Sequence, residues 1–191
     1  SAASDVYKRQ VSSQSAGFMA NSVSDITVDN CEFINNQTAR GAVYPLRCNN
    51  VTVSNCLFQD NVNATGFGGA MFNWNTTGLT VSNCDFIDNR AGNGGCFYID
   101  GREVGMDANN NVFENCNFIG SAVTDWGGGV MYIWRASITI DNCTFENSAA
   151  PNSGGHLFIG GDDNIVNISN TSFENANIGG WGGAHTCYGA N

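Results

Sequence analysis

One motif occurs six times in this chain, and a chain that repeats itself at short regular spacing has to stack its copies. The clearest copy is Leu79-Thr80-Val81-Ser82-Asn83-Cys84-Asp85-Phe86-Ile87-Asp88-Asn89. A short polar link separates it from Gly94-Gly95-Cys96-Phe97-Tyr98-Ile99. Its first Asn stands at Asn30, Asn55, Asn83, Asn115, Asn142 and Asn170, spaced 25, 28, 32, 27 and 28 residues apart. The next column is Cys31, Cys56, Cys84, Cys116 and Cys143, then Thr171. Two residues further stand Phe33, Phe58, Phe86, Phe118, Phe145 and Phe173. A glycine followed by small and apolar residues returns in phase, as in Gly41-Ala42-Val43-Tyr44, Gly69-Ala70-Met71-Phe72 and Gly155-His156-Leu157-Phe158.

Each copy reads as three short strands. The first alternates apolar and polar, as in Ile26-Thr27-Val28 and Ile138-Thr139-Ile140. The second is Cys-x-Phe, with both named residues on one face. The third follows the glycines. No stretch offers a helical apolar stripe. One copy cannot bury its own apolar face, so the expected fold is all-β: a right-handed parallel β-helix, a solenoid of about six rungs of three short strands. In-register stacking turns each repeated position into a column. The Asn column is expected to form a buried ladder of side-chain amides, with the Cys and Phe columns as interior stacks. The 32-residue spacing marks an insertion at residues 100–110, where loops can carry function.

Residues 1–10, SAASDVYKRQ, read as the in-frame translation of a transposase-type sequencing adapter, so they are set aside as a non-native tag. Residues 11–191 are then expected to form a single β-helix domain, truncated at both ends because no cap is visible. The chain carries 7 basic and 17 acidic residues, for a net charge of −10. Lys8, inside the tag, is the one lysine. Such a surface repels phosphate backbones, so no nucleic-acid partner is expected. No run is long and apolar enough to span a membrane as a helix.

Phe33-Ile34-Asn35-Asn36, Phe58-Gln59-Asp60-Asn61 and Phe86-Ile87-Asp88-Asn89 follow a Phe-x-x-Asn pattern, and Gly68-Gly69-Ala70-Met71 and Gly182-Gly183-Ala184-His185 a Gly-Gly-Ala pattern. In these motifs the chain resembles the repeats of chlamydial-type polymorphic outer membrane proteins over residues 25–186. Ser121, Ser148 and Ala176 stand where the first motif has its last Asn. The resemblance implies a secreted or surface-displayed passenger, outer-membrane-associated if bacterial, with an adhesive role. The expected partner is a glycan or a host or cell-surface protein.

The 8 cysteines include no Cys-x-x-Cys pair, so neither a metal site nor a cofactor is expected. Buried thiols filling a column are the simplest account, with Cys48 and Cys187 open to loop disulfides. No catalytic cluster is legible. Asp162 and Asp163 sit in a Gly-rich turn, and Asp100 and Arg102 open the insertion; either set can be offered to a ligand. Phe67, Trp126 and Trp181 each precede a glycine run. They either close a loop over their rung or present flat surfaces to a sugar or a protein. Sequons at Asn36, Asn50, Asn63, Asn75, Asn142, Asn167 and Asn170 follow from an Asn- and Thr-rich composition. Asn142 and Asn170, as ladder members, are expected to be inaccessible. These features favour a non-catalytic binding or structural role. The alternative is a polysaccharide lyase or hydrolase, with its site on the 100–110 insertion or outside these residues.

Overall fold

Each strand pairs with its counterpart one repeat away, and the strand pairings are parallel. The computed structural model describes residues 5–8, 17–101, 108–162 and 164–189. They form a parallel β-solenoid with four stacked sheets. The first sheet holds Ser24–Asp29, Asn49–Ser54, Thr77–Ser82, Ala108–Glu114, Ala136–Asp141 and Val166–Ser169. The second holds Cys31–Ile34, Leu57–Gln59, Asp85–Ile87, Asn117–Ile119, Thr144–Glu146 and Ser172–Glu174. The third-strand sheet runs from Phe18–Asn21 through Val43–Leu46, Met71–Trp74, Phe97–Asp100, Met131–Trp134 and Leu157–Gly160 to His185–Tyr188. Between second and third strands lies a fourth sheet, which three strands per rung did not anticipate: Val62–Phe67, Arg90–Asn93, Ala122–Val123, Ala149–Ala150 and Asn177–Ile178. The polar links pair because each lies over its neighbour at the same height.

Asp5–Lys8 adds a backbone strand to the second sheet against Cys31–Ile34. A backbone ladder accepts almost any sequence, so this pairing says nothing of the segment's origin.

The first Asn column does not form a buried ladder. Asn30 is half-buried, and Asn55, Asn83, Asn115, Asn142 and Asn170 are exposed. All six have φ between 48° and 54°. They are there because the chain turns through the left-handed region between first and second strands, which Asn tolerates better than other non-glycine residues. The sequons change accordingly: Asn142 and Asn170 are exposed, whereas Asn36, Asn63 and Asn75 are buried.

The buried amide ladder is the other Asn column. Asn36 Nδ2 donates to Asn61 Oδ1 at 2.8 Å, and Asn61 Nδ2 to Asn89 Oδ1 at 2.9 Å. The same oxygens accept the backbone N–H of Asn36 and Asn61. All three side chains are fully buried. Where Ser121 and Ser148 replace Asn, neighbours fill the space. Cys96 Sγ lies 2.9 Å from Ser121 Oγ, and His156 Nδ1 2.7 Å from Ser148 Oγ.

The Phe column stacks inside, with centroids 4.7, 4.9, 4.9, 4.6 and 4.7 Å apart from Phe33 to Phe173. Such stacking adds about 1 kcal/mol per pair to the burial of each ring. The five cysteines beside it are buried and free. Cys31 N donates to Cys56 Sγ at 3.4 Å, and Cys56 N to Cys84 Sγ at 3.4 Å. Thr171 can end this column because its Oγ1 accepts Cys143 N in the same way, at 3.3 Å.

Candidate functional site

The third strands carry one apolar row inward and one aromatic row outward. Val43, Met71, Phe97, Met131 and Leu157 point into the core. The next residue in each strand, Tyr44, Phe72, Tyr98, Tyr132 and Phe158, lies on the outer face. Tyr44 stacks on Phe72 at 5.2 Å, Tyr98 on Tyr132 at 4.8 Å and Tyr132 on Phe158 at 4.5 Å. Phe72 meets Tyr98 edge-on at 5.3 Å. Trp74 and Trp134 stack beside Phe72 and Tyr132. The Arg40 guanidinium sits 5.5 Å from the Tyr44 ring and 5.4 Å from that of Trp74, and donates to Tyr44 Oη at 2.9 Å. This outer aromatic row escaped sequence reasoning. Its signal was present as an aromatic after the inward apolar residue in five copies.

The chain segment before each glycine turn decides how much of this row is covered. Phe67 pairs with Asn93, Gly94 N donates to Gly127 O, and Gly127, Ser153 and Trp181 are bridged in sequence. One column therefore runs Phe67, Asn93, Gly127, Ser153, Trp181. The glycine that follows each has positive φ: Gly68, Gly94, Gly128, Gly154 and Gly182. Trp126 does not share this column with Phe67 and Trp181, as its place before a glycine run suggested. Its run has three glycines, so it stands one residue ahead.

Phe67 closes over the aromatic row, with its ring 4.4 Å from Tyr98 and 5.8 Å from Phe72. Asn93, Gly127 and Ser153 are too small to do so. The result is a groove of about 500 Å³. Phe67 and Trp181 stand at its ends, Trp126 and Trp134 on its flanks, and Tyr98, Tyr132 and Phe158 form its floor. Asn93, Ser153 and Thr186 supply polar groups. Asn93 Oδ1 accepts the Trp126 backbone N–H at 3.2 Å. Trp126 is 57% exposed and Trp181 79%. Among the described residues, no side chain lining it is charged.

Of the other expected site residues, the described ones, Asp100 and Asp162, are not among those that line this groove. Asp100 ends its third strand between Trp74 and Trp134 in register, and it is itself buried rather than offered to solvent. Arg102 and Asp163 lie outside the described residues. Asp162 faces Arg135 at 3.8 Å, with both side chains about half exposed, so the pair is solvated. A second, polar groove of about 350 Å³ lies at the corner of Asn30, Asn55 and Asn83, near Glu32 and Asp85. Among the described residues no group of three or more His, Cys, Asp or Glu can hold a metal. No described helix is long and apolar enough to cross a membrane.

Two buried titratable groups serve the core. Burial pushes the Cys96 thiol up to about 12. His156 is lowered to about 4, first by burial and then by the neighbouring His185. Its ring packs against the stacked pair Phe145 and Phe173, edge-on at 6.0 Å from the first and tilted at 5.7 Å from the second.

A family model described as right handed beta helix region matches residues 3–145, more than half of the chain. The chain is also 29% identical over 153 residues to metabotropic glutamate receptor-like protein R of Dictyostelium discoideum. That match covers 79% of this chain and 9% of the relative, so the chain spans a small part of that protein. No solved structure matches.

Proposed function

The chain belongs to the right-handed β-helix family, and from that premise we propose that it is a non-catalytic binding rod, extracellular or displayed at a cell surface. The aromatic groove on its third-strand sheet is the contact face. The observation that carries this reading is a groove of small-molecule size with exposed indoles and, among the described residues, no charged lining side chain. Hydrolysis of a glycoside requires paired carboxylates, and lyase chemistry requires a base beside the substrate. Among the described lining residues there is no carboxylate, histidine or lysine, and the two tyrosines, Tyr98 and Tyr132, are stacked on each other in the floor. Surface placement draws support from the receptor-like name of the Dictyostelium relative and from the acidic, lysine-poor composition.

The test is to incubate the full chain with a panel of soluble and insoluble polysaccharides and with intact cells. Retention and turnover are measured together. The expected result is retention without new reducing ends or unsaturated uronates, lost in Trp126→Ala and Trp181→Ala. Sustained turnover of any polymer would sink the reading.

A further inference from the structure

We propose that the groove takes a neutral oligosaccharide lying along the solenoid axis, an inference that rests on the binding reading above. Four features lead to it.

The groove is axial and bounded. Phe67 and Trp181 stand four rungs apart in one column, with Asn93, Gly127 and Ser153 between them. At about 4.8 Å per rung the span is roughly 19 Å, enough for about three sugar rings end to end.

The available aromatic faces are those of the indoles. In the floor, Tyr98, Tyr132 and Phe158 use their faces on one another, so they turn their edges to the groove. Neither Trp126 nor Trp181 stacks on another ring among the described residues. A pyranose has one face of C–H groups whose slight positive charge suits the negative face of an indole. The floor's ring edges carry the opposite sign and suit sugar oxygens. The same edges disfavour a cation, and the two indoles sit on different rungs and do not converge as a cage around one cationic centre.

The polar groups are sparse but present. Asn93, Ser153 and Thr186 offer hydroxyl and amide partners. An alkyl chain would bury them without hydrogen bonds, at a cost that a hydroxyl-bearing ligand avoids.

Charge selects against anions. Among the described residues no basic side chain lines the groove, and the chain carries −10. Uronic-acid and sulfated polymers are repelled, which leaves neutral glycans.

The experiment follows tryptophan fluorescence and heat on titrating the full chain with cellohexaose, mannohexaose, xylohexaose, N-acetylchitohexaose, hexagalacturonate and phosphocholine. At least one neutral hexaose should bind. Its trimer should bind nearly as well and its dimer about tenfold more weakly, as the three open positions require. Hexagalacturonate should bind at least about tenfold more weakly than the best neutral sugar. Trp126→Ala and Trp181→Ala should each weaken binding about tenfold, with Trp181→Phe retaining part of it. Both indoles are exposed, so an unchanged melting curve certifies the fold of each variant. Absence of binding by every neutral sugar at millimolar concentration, or preference for hexagalacturonate or phosphocholine, overturns the inference. If a protein or peptide binds instead and is lost in Trp181→Ala, the sugar inference falls and the binding reading stands. If a bound sugar is cleaved, the binding reading falls and the sugar inference stands.

Discussion

Asn61 Nδ2 donates to Asn89 Oδ1 across 2.9 Å, from one rung to the next. Asn61 also donates to Phe33 O at 2.9 Å, and its own oxygen takes two N–H groups from Asn36. Replacing it with Leu strands those partners in a dry core. Asn61→Leu should therefore cost about 3 kcal/mol, the penalty of leaving more than one buried polar group unsatisfied. Asn83→Gly should change stability by only a few tenths of a kcal/mol, because Asn83 is exposed and its φ of 53° suits glycine at least as well. Urea denaturation of both variants checks this. Equal losses would contradict the assignment of buried and corner columns.

The glycine turns should be less forgiving than the Asn turns. Gly128 has a φ of 66°, and a Cβ there would run into the carbonyl of Met131. Gly128→Ala should cost at least about 2 kcal/mol, since left-handed strain and a backbone clash add. A melting temperature within a degree of the parent would contradict that packing.

The columns were legible in the sequence because each has one dominant residue type at a fixed offset. What each column does was less so. Asn83 and Asn89 stand six residues apart in one repeat, yet one turns the chain in solvent and the other is fully buried. Asn is common at both kinds of position, since it tolerates positive φ and can also satisfy four hydrogen bonds. Composition cannot separate these roles; the Phe-x-x-Asn spacing marks the interior one. For the groove, the sequence places Phe67, Trp126 and Trp181 alike, each before a glycine run. Three glycines after Trp126, where two were expected, moved it off the column, and only the register of the glycine turns reveals this. The outer row from Tyr44 to Phe158 is hidden in the sequence because its aromatics alternate with inward apolar residues, so the third strand reads as one continuous apolar run.

Acid should loosen the C-terminal rungs. His156 has no exposed surface and stays neutral in the fold down to about pH 4, against 6.5 for an ordinary histidine. The unfolded chain therefore binds more protons than the folded one between those values. Stability should fall as pH drops from 6.5 towards 4 and level off below, by about 3 kcal/mol in all. His185 is shifted in the same direction and adds to this slope. Asp29 and Asp141, whose carboxyls are lowered by side-chain hydrogen bonds from Ser54 and Ser169 first and from Asn55 and Asn170 next, stabilise the fold above the ordinary carboxylate pKa of 3.8 and lose that only as pH falls below it, so they do not add to the slope between 6.5 and 4. His156→Leu should flatten the stability profile between pH 6.5 and 4. An unaltered profile would mean that another group sets it.

Thiol chemistry should report the same burial. Of eight free cysteines only Cys187 is exposed. The native chain should react rapidly with one equivalent of an aromatic disulfide reagent, and with eight after denaturation. Rapid reaction of a second thiol without denaturant would show that the cysteine column is open to solvent.

The most direct test of where function resides is amide and indole NMR during titration with the best-binding neutral oligosaccharide. Shifts should gather on Asn93, Trp126, Ser153 and Trp181, including both indole N–H signals, and leave the corner at Asn30, Asn55 and Asn83 unmoved. Shifts centred on that corner, with the Trp126 and Trp181 signals unchanged, would contradict the account.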